Sequence, residues 1–164
     1  MGHIKMEVKP NTIKALEKMT YGLYILTTKR GKEINGMIAS WVSQVSFSPP
    51  LVMAVIRRNR YSHKMVKESG VFALNVLGKD NSGLVSKFKL PTSEEKFKGI
   101  RLETKTTGAP IIGETIAYMD CKLVNSIDTG DHTIFIGEIV DADTLKDGIP
   151  MTSLDYGKVY IGKS

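Results

Sequence analysis

The densest positive charge in the sequence lies between a predicted strand and a predicted helix. Three arginines within residues 57–60 precede Ser62, which is a good N-cap for a helix over 62–69. A helix N-terminus offers unpaired N–H groups and a partial positive charge, and guanidinium groups bind phosphate through paired hydrogen bonds. The basic segment 57–60, directly before the helix capped by Ser62, is therefore a candidate anion site, with a solvated basic turn as the equally weighted alternative.

A second candidate lies where a predicted strand ends in small and polar residues beside the only tryptophan. Asn35 and Gly36 lead along this strand to Ala39, Ser40 and Trp41. Small side chains let a flat ligand approach backbone N–H groups closely. The strand end is therefore a candidate cofactor-binding edge, although a lone tryptophan also commonly anchors a core.

Two further segments leave their interpretation open. Lys87, Phe88 and Lys89 form a basic group that is either a solvated loop or a loop that folds over a bound cofactor. His132 follows a Gly-Asp turn signal at the start of a long predicted strand. A histidine in such a turn is usually exposed and inert, so residue type alone gives His132 no catalytic role.

Sequence signatures of several enzyme classes are missing. The chain has no GxxxxGK[ST] phosphate loop, no GxGxxG dinucleotide fingerprint and no GxSxG nucleophile elbow. The only cysteine, Cys121, lies in an alternating strand-like segment and is predicted to be a packed thiol. Together with His63 and His132 it cannot form a zinc site at standard spacing, so no metal site is expected.

Length and charge predict one domain with anionic partners. The 164 residues fit a single domain over 1–164, and the net charge of +6 favours phosphate-bearing cofactors, acidic proteins or nucleic acid. Single-strand binding needs aromatic residues interleaved with basic ones on strands, and only Tyr61 and Phe88 lie near basic clusters, so we expect no nucleic acid. No apolar run approaches the roughly 20 residues that span a bilayer, and residues 1–10 lack the apolar stretch of a signal peptide. We therefore expect a cytoplasmic protein without membrane association.

The predicted elements are mostly strands. About seven strand-like stretches and three short helices occur without regular strand–helix alternation, which favours an antiparallel barrel. The apolar segment 51–56 predicts a strand buried on both faces. Two long strands, 116–127 and 133–144, are joined by a turn, and a last short strand is predicted over 158–161. Region 90–113 is rich in proline and glycine and is predicted to be mostly loop.

Three segments, taken in chain order, resemble the flavin reductase-like family, whose members share the FMN-binding split barrel. Segment 35–51 has Asn-Gly-Met, then small residues before tryptophan, then Pro-Pro before a strand. Segment 59–76 has Asn-Arg-Tyr-Ser-His leading into a helix and strand, and segment 130–139 begins Gly-Asp-His-Thr. The resemblance covers about 19–161. It implies a mainly β fold, a six-stranded antiparallel split β-barrel with short flanking helices; residues 154–156 resemble the flavoredoxin-like, rubredoxin-linked branch.

The resemblance also implies roles for particular residues. The flavin ring and ribityl chain would be held largely through main-chain groups, and the phosphate by basic and hydroxyl side chains. The implied cofactor-binding residues are Ala39, Ser40, Trp41, Ser46, Arg57, Arg60, Ser62, Lys87, Phe88, Lys89 and Tyr156. His132 would take the catalytic position on the nicotinamide side of the pocket. Ile38 stands where many of these reductases carry threonine, so no side-chain hydrogen bond is expected there.

Two functional hypotheses follow. The first is an NAD(P)H-dependent flavin reductase that passes a hydride from NADH or NADPH to FMN. The second is an FMN-bound electron carrier that exchanges electrons with a small acidic redox protein such as a rubredoxin. In both, the cofactor brings the redox chemistry and the protein supplies position and electrostatics, which accounts for the absence of a conventional catalytic constellation. A pocket at a subunit interface is implied, so we expect a homodimer in which Tyr156 approaches the partner's flavin.

Overall fold

The computed structural model describes residues 7–157 and Tyr160, and within them the chain forms nine strands and five short helices. The strands are β1 (Tyr24–Arg30), β2 (Glu33–Ala39), β3 (Val42–Ser46), β4 (Leu51–Arg57), β5 (Val71–Val76), β6 (Leu102–Thr104), β7 (Pro110–Ile112), β8 (Ala117–Asp128) and β9 (His132–Thr144). The helices are α1 (Pro10–Leu16), α2 (Tyr61–Ser69), α3 (Ser82–Lys87), α4 (Ser93–Phe97) and α5 (Ser153–Tyr156). The predicted strand over 158–161 lies, apart from Tyr160, outside the described residues.

The main sheet curls into a barrel. Its seven strands run in the order β2-β1-β5-β8-β9-β4-β3, and every neighbouring pair is antiparallel. The two edge strands, β2 and β3, are separated in the chain by only Ser40 and Trp41. Because two residues cannot cross a flat seven-stranded sheet, the two edges must lie close together. The predicted mainly β antiparallel fold with short helices is confirmed.

The strand count of the sheet is seven rather than six. Strand β3 pairs with β4 with a register shift between Gln44 and Ser46, in a segment without a regular hydrophobic alternation. The sheet encloses one core to which β1, β2, β4, β5, β8 and β9 all contribute. Its buried members are Leu26, Ala39, Val52, Ala54, Ile56, Val66, Phe72, Leu74, Cys121 and Phe135.

The prediction that segment 51–56 is buried on both faces is wrong for the single chain. Val52, Ala54 and Ile56 are buried, whereas the alternate residues of β4 are only half-buried. Those alternate residues up to position 55 are also apolar, so β4 presents a hydrophobic outer face. The continuous apolar run therefore includes a second apolar face that the described residues leave half-buried.

Helix α2 begins earlier than its sequence signal indicates. Arg60 takes the N-cap position, and Gly70 ends the helix in the left-handed conformation at φ 70°. Ser62 lies inside the first turn, 2% exposed, where its hydroxyl accepts a hydrogen bond from Asn35 Nδ2 at 3.1 Å. Ser62 is thus a contact between α2 and β2, and its prediction as the N-cap is wrong.

Region 90–113 is more ordered than predicted. Thr92 and Glu95 form a capping box that starts α4, and β6 and β7 form a small separate hairpin. The buried amide of Asn75 fixes this hairpin to the barrel, since it accepts from the Ile112 N–H at 2.8 Å and donates to the Ile25 carbonyl at 3.0 Å. No helix among residues 7–157 has the length and apolarity needed to cross a membrane.

Candidate functional site

Two aromatic rings, those of Trp41 and His132, meet at the end of β4 and form what we call the ring pair. The Trp41 carbonyl accepts the Val55 N–H at 3.0 Å, and His132 is the register partner of Arg57. Positions 55 and 57 lie on the same face of β4, because side chains alternate along a strand. The two rings consequently stand 4.7 Å apart between centroids, with their planes inclined by 31°.

His132 is held by its neighbour Asp131. Its Nδ1 atom lies 2.5 Å from Asp131 Oδ1, and a carboxylate can only accept, so Nδ1 carries the proton. This hydrogen bond, with the charges of His132 and Arg57 assisting, lowers the pKa of Asp131. Arg57 Nε is 4.0 Å from the second carboxylate oxygen. His132 is only 5% exposed, so the interpretation as an exposed turn histidine is wrong.

Trp41 offers an unused hydrogen-bond donor. Its Nε1 atom is buried and has no acceptor within residues 7–157 and Tyr160. Leaving a buried N–H unpaired costs about 1–3 kcal/mol, so such a donor marks a place where a ligand acceptor fits. Ala39 is buried and Ser40 half-buried immediately before it. The strand end therefore fits the flat ring of a flavin, which carries carbonyl oxygens and ring nitrogens as acceptors.

Two cations, Arg60 and Lys96, lie at the other end of β2 and are called here the cation pair. Lys96 Nζ donates to the Gly36 carbonyl at 3.0 Å and to Asn35 Oδ1 at 3.4 Å. Burial, and next the charge of Arg60, lowers the pKa of Lys96, so the two charges are close enough to repel. In the part of the chain that the structure describes, neither cation forms an ion pair. An anion would relieve this repulsion at the N-terminus of α2.

Phe88 is a packing residue rather than part of an open loop. It is 4% exposed and meets Phe97 edge-on, with the ring centroids 5.2 Å apart. A Cβ atom at Gly36 would come within 2.5 Å of the Phe88 ring, so the glycine is required for this close approach. Phe88 therefore packs beneath the strand backbone that binds Lys96, and its role as a cofactor contact stays a prediction.

The other members of that segment contact the protein as well. Lys87 Nζ donates to the Lys98 carbonyl, and Lys89 Nζ lies 4.7 Å from the centroid of the Tyr156 ring. Tyr156 is half-buried against a second hydrophobic cluster beneath α3 and α5. Ser46 lies at the far end of β3 from Trp41, opposite Leu51. The structure does not bring Lys87, Lys89, Tyr156 or Ser46 to the ring pair.

Three residues at the site had no functional role predicted from the sequence: Asn35, which binds Lys96, and Asp131 and Tyr160, which contact His132. Asp131 could have been found, because it forms part of the Gly-Asp-His segment already noted. Lys96 lies on α4, in a region predicted to be loop, and therefore had no predicted position relative to β2.

A buried relay lies beside the turn that carries His132. His63 Nε2 is 2.8 Å from Thr133 Oγ1, whose hydroxyl donates to Asp128 Oδ1 at 2.7 Å. Because the hydroxyl proton goes to the carboxylate, His63 Nε2 must be the donor to Thr133. Burial, and next the charge of Lys67, lowers the pKa of His63. The relay ties α2 to the start of β9.

This relay predicts a loss of stability in mild acid. The folded-state pKa of His63 lies below the unfolded value of about 6.5, so the unfolded chain binds more protons between the two values. The His63 contribution is fully present above about pH 6.5 and declines as the pH falls, by at most about 1.4 kcal/mol per pH unit. Urea unfolding between pH 7.5 and pH 5 should show this decline in wild type and a smaller one in His63→Gln. Identical pH profiles would contradict the assignment.

A curled antiparallel sheet, with a ring pair and a cation pair near the two ends of β2, fits the flavin-binding split barrel that the sequence resembles. A family model described as the flavin reductase like domain matches residues 16–161. The chain belongs to the flavin reductase-like family, as predicted, and the predicted flavin reductase class is confirmed with it.

Several relatives and solved structures are similar over most of the chain. A "Ferric-chelate reductase (NAD(P)H)" of Archaeoglobus fulgidus is 35% identical over 156 residues, which are 93% of this chain and 92% of that protein. A "High molecular weight rubredoxin" of Moorella thermoacetica is 35% identical, covering 91% of this chain and 67% of the relative. The structure titled "Flavin Reductase HpaC complexed with NADP+" has a TM-score of 0.81 at 31% identity, with 92% and 97% of the two chains covered. A diflavin flavoprotein of Nostoc is 34% identical, but the chain spans only 26% of it.

Proposed function

We propose that this chain is an NAD(P)H-dependent flavin reductase that uses FMN. The observation that carries the proposal is the placement, near the two ends of β2, of a buried Trp41 Nε1 with no acceptor and of two cations with no ion pair among the described residues. The three residue steps from Gly36 to Ala39 correspond to about 10 Å of extended strand, and Trp41 lies beyond that strand end, so a ligand that reaches from the cation pair to Trp41 is elongated. A flavin mononucleotide has this form, with a flat ring at one end and a phosphate at the other.

The residues at the ring end suit flavin chemistry. A bound FMN supplies a ring that can accept a hydride. Trp41 Nε1 would donate a hydrogen bond to the ring system, and the main chain of Ala39 and Ser40 would border it. His132, with its proton fixed on Nδ1, would present Nε2 toward the reductant and position it by a hydrogen bond. No residue has to transfer a proton for the hydride to move.

The residues at the other end favour FMN over FAD. Arg60, Lys96 and the free N–H groups of α2 together would bind a terminal phosphate, which carries up to two negative charges. Ser62 would act through Asn35, because its hydroxyl is already bonded there. Lys87 and Lys89 remain predicted cofactor contacts. Both side chains would have to move toward a bound cofactor to make them.

The reductant is proposed from the comparisons together with the ring pair. One relative is named for NAD(P)H, and one similar structure is titled as a complex with NADP+. Both support a nicotinamide dinucleotide as electron donor. The half-buried outer residues Val55 and Ile134 beside the ring pair give an apolar setting in which two flat rings could stack and exclude water.

The proposal is tested on the purified protein in two steps. Calorimetric titration with FMN, FAD and riboflavin should give the tightest binding for FMN, and the FMN complex should lose its visible absorption when NADH is added without oxygen. No flavin binding up to about millimolar concentration would overturn the proposal. Binding that favours FAD would overturn the choice of FMN alone.

An electron-carrier function remains the second proposal. The named rubredoxin and diflavin relatives support it, and the net charge of +6 suits an acidic partner protein. In that case NADH and NADPH should both reduce the flavin slowly, while a reduced acidic rubredoxin should reduce it quickly. Fast reduction by a nicotinamide with no exchange with rubredoxin would contradict this alternative.

We further propose that the protein is a homodimer through the outer face of β4, β8 and β9. Half-buried or exposed apolar side chains form a continuous patch on this face, next to the ring pair. The patch consists of Leu51, Met53, Val55, Ile127, Ile134 and Ile136. A second copy is the occupant best supported, because an isologous contact lets one patch cover itself and would place the two sites side by side. Leu154, 76% exposed beside Tyr156, would then be available to the partner's site.

The dimer proposal predicts the effect of one polar replacement. Ile136→Thr keeps a β-branched side chain but removes apolar contact from the patch, and each dimer carries the change twice. We expect the dimer dissociation constant to rise about fivefold in sedimentation equilibrium. The control, Leu102→Thr, makes a similar apolar-to-polar change on the separate β6–β7 hairpin and should leave it unchanged. A wild-type monomer with full flavin affinity would contradict the dimer.

A further inference from the structure

Tyr160 lies against both members of the ring pair. Its ring meets Trp41 edge-on, with centroids 5.4 Å apart at 61°, and its centroid is 6.0 Å from that of His132. The hydroxyl oxygen is 3.4 Å from His132 Nε2. Tyr160 therefore touches the same histidine nitrogen that the proposed function assigns to the reductant.

The hydrogen bond between Tyr160 and His132 is one that a ligand can replace. Because Nδ1–H donates its hydrogen bond to Asp131, Nε2 of a neutral His132 is an acceptor. It accepts a hydrogen bond from the Tyr160 hydroxyl. At 3.4 Å this hydrogen bond is near the outer limit for an O–H donor, whose usual range ends at about 3.0 Å. The side chain is also only half-buried. A ligand with an amide group could replace the hydroxyl at Nε2 with a shorter bond.

If Tyr160 had a purely structural role, it would be expected to pair each of the buried polar groups beside it, and it does not. Tyr160 meets Trp41 through its ring edge, and Trp41 Nε1 still has no acceptor within the described chain. The ring pair already has its own attachments through the Val55 N–H and Asp131. Tyr160 thus covers the ring pair but is not what holds the two rings in place.

We propose that Tyr160 occupies the nicotinamide position on the ring pair and must be displaced from His132 Nε2 before a dinucleotide binds. This inference rests on the proposed function. Displacement lowers the apparent affinity for any dinucleotide by the fraction of time that Tyr160 covers the pair. The cost is the same factor for every ligand that needs the ring pair, so NADH, NADPH and nicotinamide mononucleotide are weakened alike.

The test compares Tyr160→Ala and Tyr160→Phe with wild type. A control, Tyr21→Phe, removes a hydroxyl that donates to Met19 Sδ at 3.3 Å, away from the ring pair. For flavin-loaded protein, the NADH KM and the calorimetric Kd for NAD+ are measured. For flavin-free protein, the emission of Trp41 is recorded; since Trp41 is the only tryptophan, the signal reports directly on the ring pair.

Tyr160→Ala should lower both the NADH KM and the NAD+ Kd about fivefold, with FMN affinity unchanged within twofold. Tyr160→Phe keeps the ring and should lower them by about twofold, while Tyr21→Phe should match wild type. Trp41 emission should change in Tyr160→Ala and stay constant in Tyr21→Phe. An unchanged or higher KM in Tyr160→Ala, or unchanged Trp41 emission, would overturn the inference. If Tyr160→Ala binds NAD+ more tightly but no variant reduces flavin, the proposed function fails and this inference stands.

Discussion

Replacing Arg60 with alanine is expected to weaken FMN binding by one to two decades while leaving riboflavin binding nearly unchanged. Arg60 is exposed, caps α2 and has no ion-pair partner among the residues described, so its charge is available to a phosphate. A hydrogen bond to a charged group contributes about 1.5–3 kcal/mol, which converts to roughly 10- to 150-fold in affinity. Riboflavin has the same ring and ribityl chain without the phosphate. Calorimetric titration of both ligands into both proteins measures the difference.

A matched control separates local contact from general charge. Lys64→Ala removes one positive charge from the same helix, at a side chain that is 64% exposed and 4.0 Å from Glu68. Salt screens the interaction between such a distant charge and the ligand. Removing the charge should therefore lower FMN affinity less than twofold. Equal losses of FMN and riboflavin affinity in Arg60→Ala would show that Arg60 supports the fold, or that the phosphate binds elsewhere.

The sequence predicts the barrel well because the strands with the clearest sequence signals are also the longest. Strands β8 and β9 were placed within about two residues, since a clear turn signal separates two alternating segments. The small elements were harder to place. Helix α4 is held by a capping box of two residues, and β6 and β7 have three residues each, too few for a hydrophobic period to show.

Site residues could be predicted from the sequence only where they lie together in one short segment of the chain. Ala39, Ser40, Trp41 and His132 were found because they lie within recognisable segments. The approach of Lys96 to Gly36 depends on how α4 packs against β2, which local pattern does not contain. An apolar run can also mislead: the run of β4 predicts two covered faces, but the described residues fully bury only one of them.

Replacing His132 with alanine is expected to slow the reduction of bound flavin by NADH about tenfold while leaving FMN affinity nearly intact. The imidazole is buried beside Trp41, and its orientation is set by the 2.5 Å contact between Nδ1 and Asp131. Hydride transfer needs no proton from this ring, so its contribution is the position of the reductant. One positioning contact of about 1.4 kcal/mol corresponds to a factor of ten in rate. Anaerobic stopped-flow at saturating NADH follows flavin bleaching directly.

Two companion variants define what the loss means. Asp131→Ala leaves the imidazole in place without its partner, so reduction should slow in the same direction but by less than in His132→Ala. His63→Gln removes an imidazole that bonds Thr133 rather than facing the ring pair, and its reduction rate should stay within about twofold of wild type. An unchanged rate and unchanged NADH dependence in His132→Ala would mean that His132 only packs against Trp41. Slow reduction in wild type as well would favour the electron carrier over the reductase, because the ring pair would then have no reductant to position.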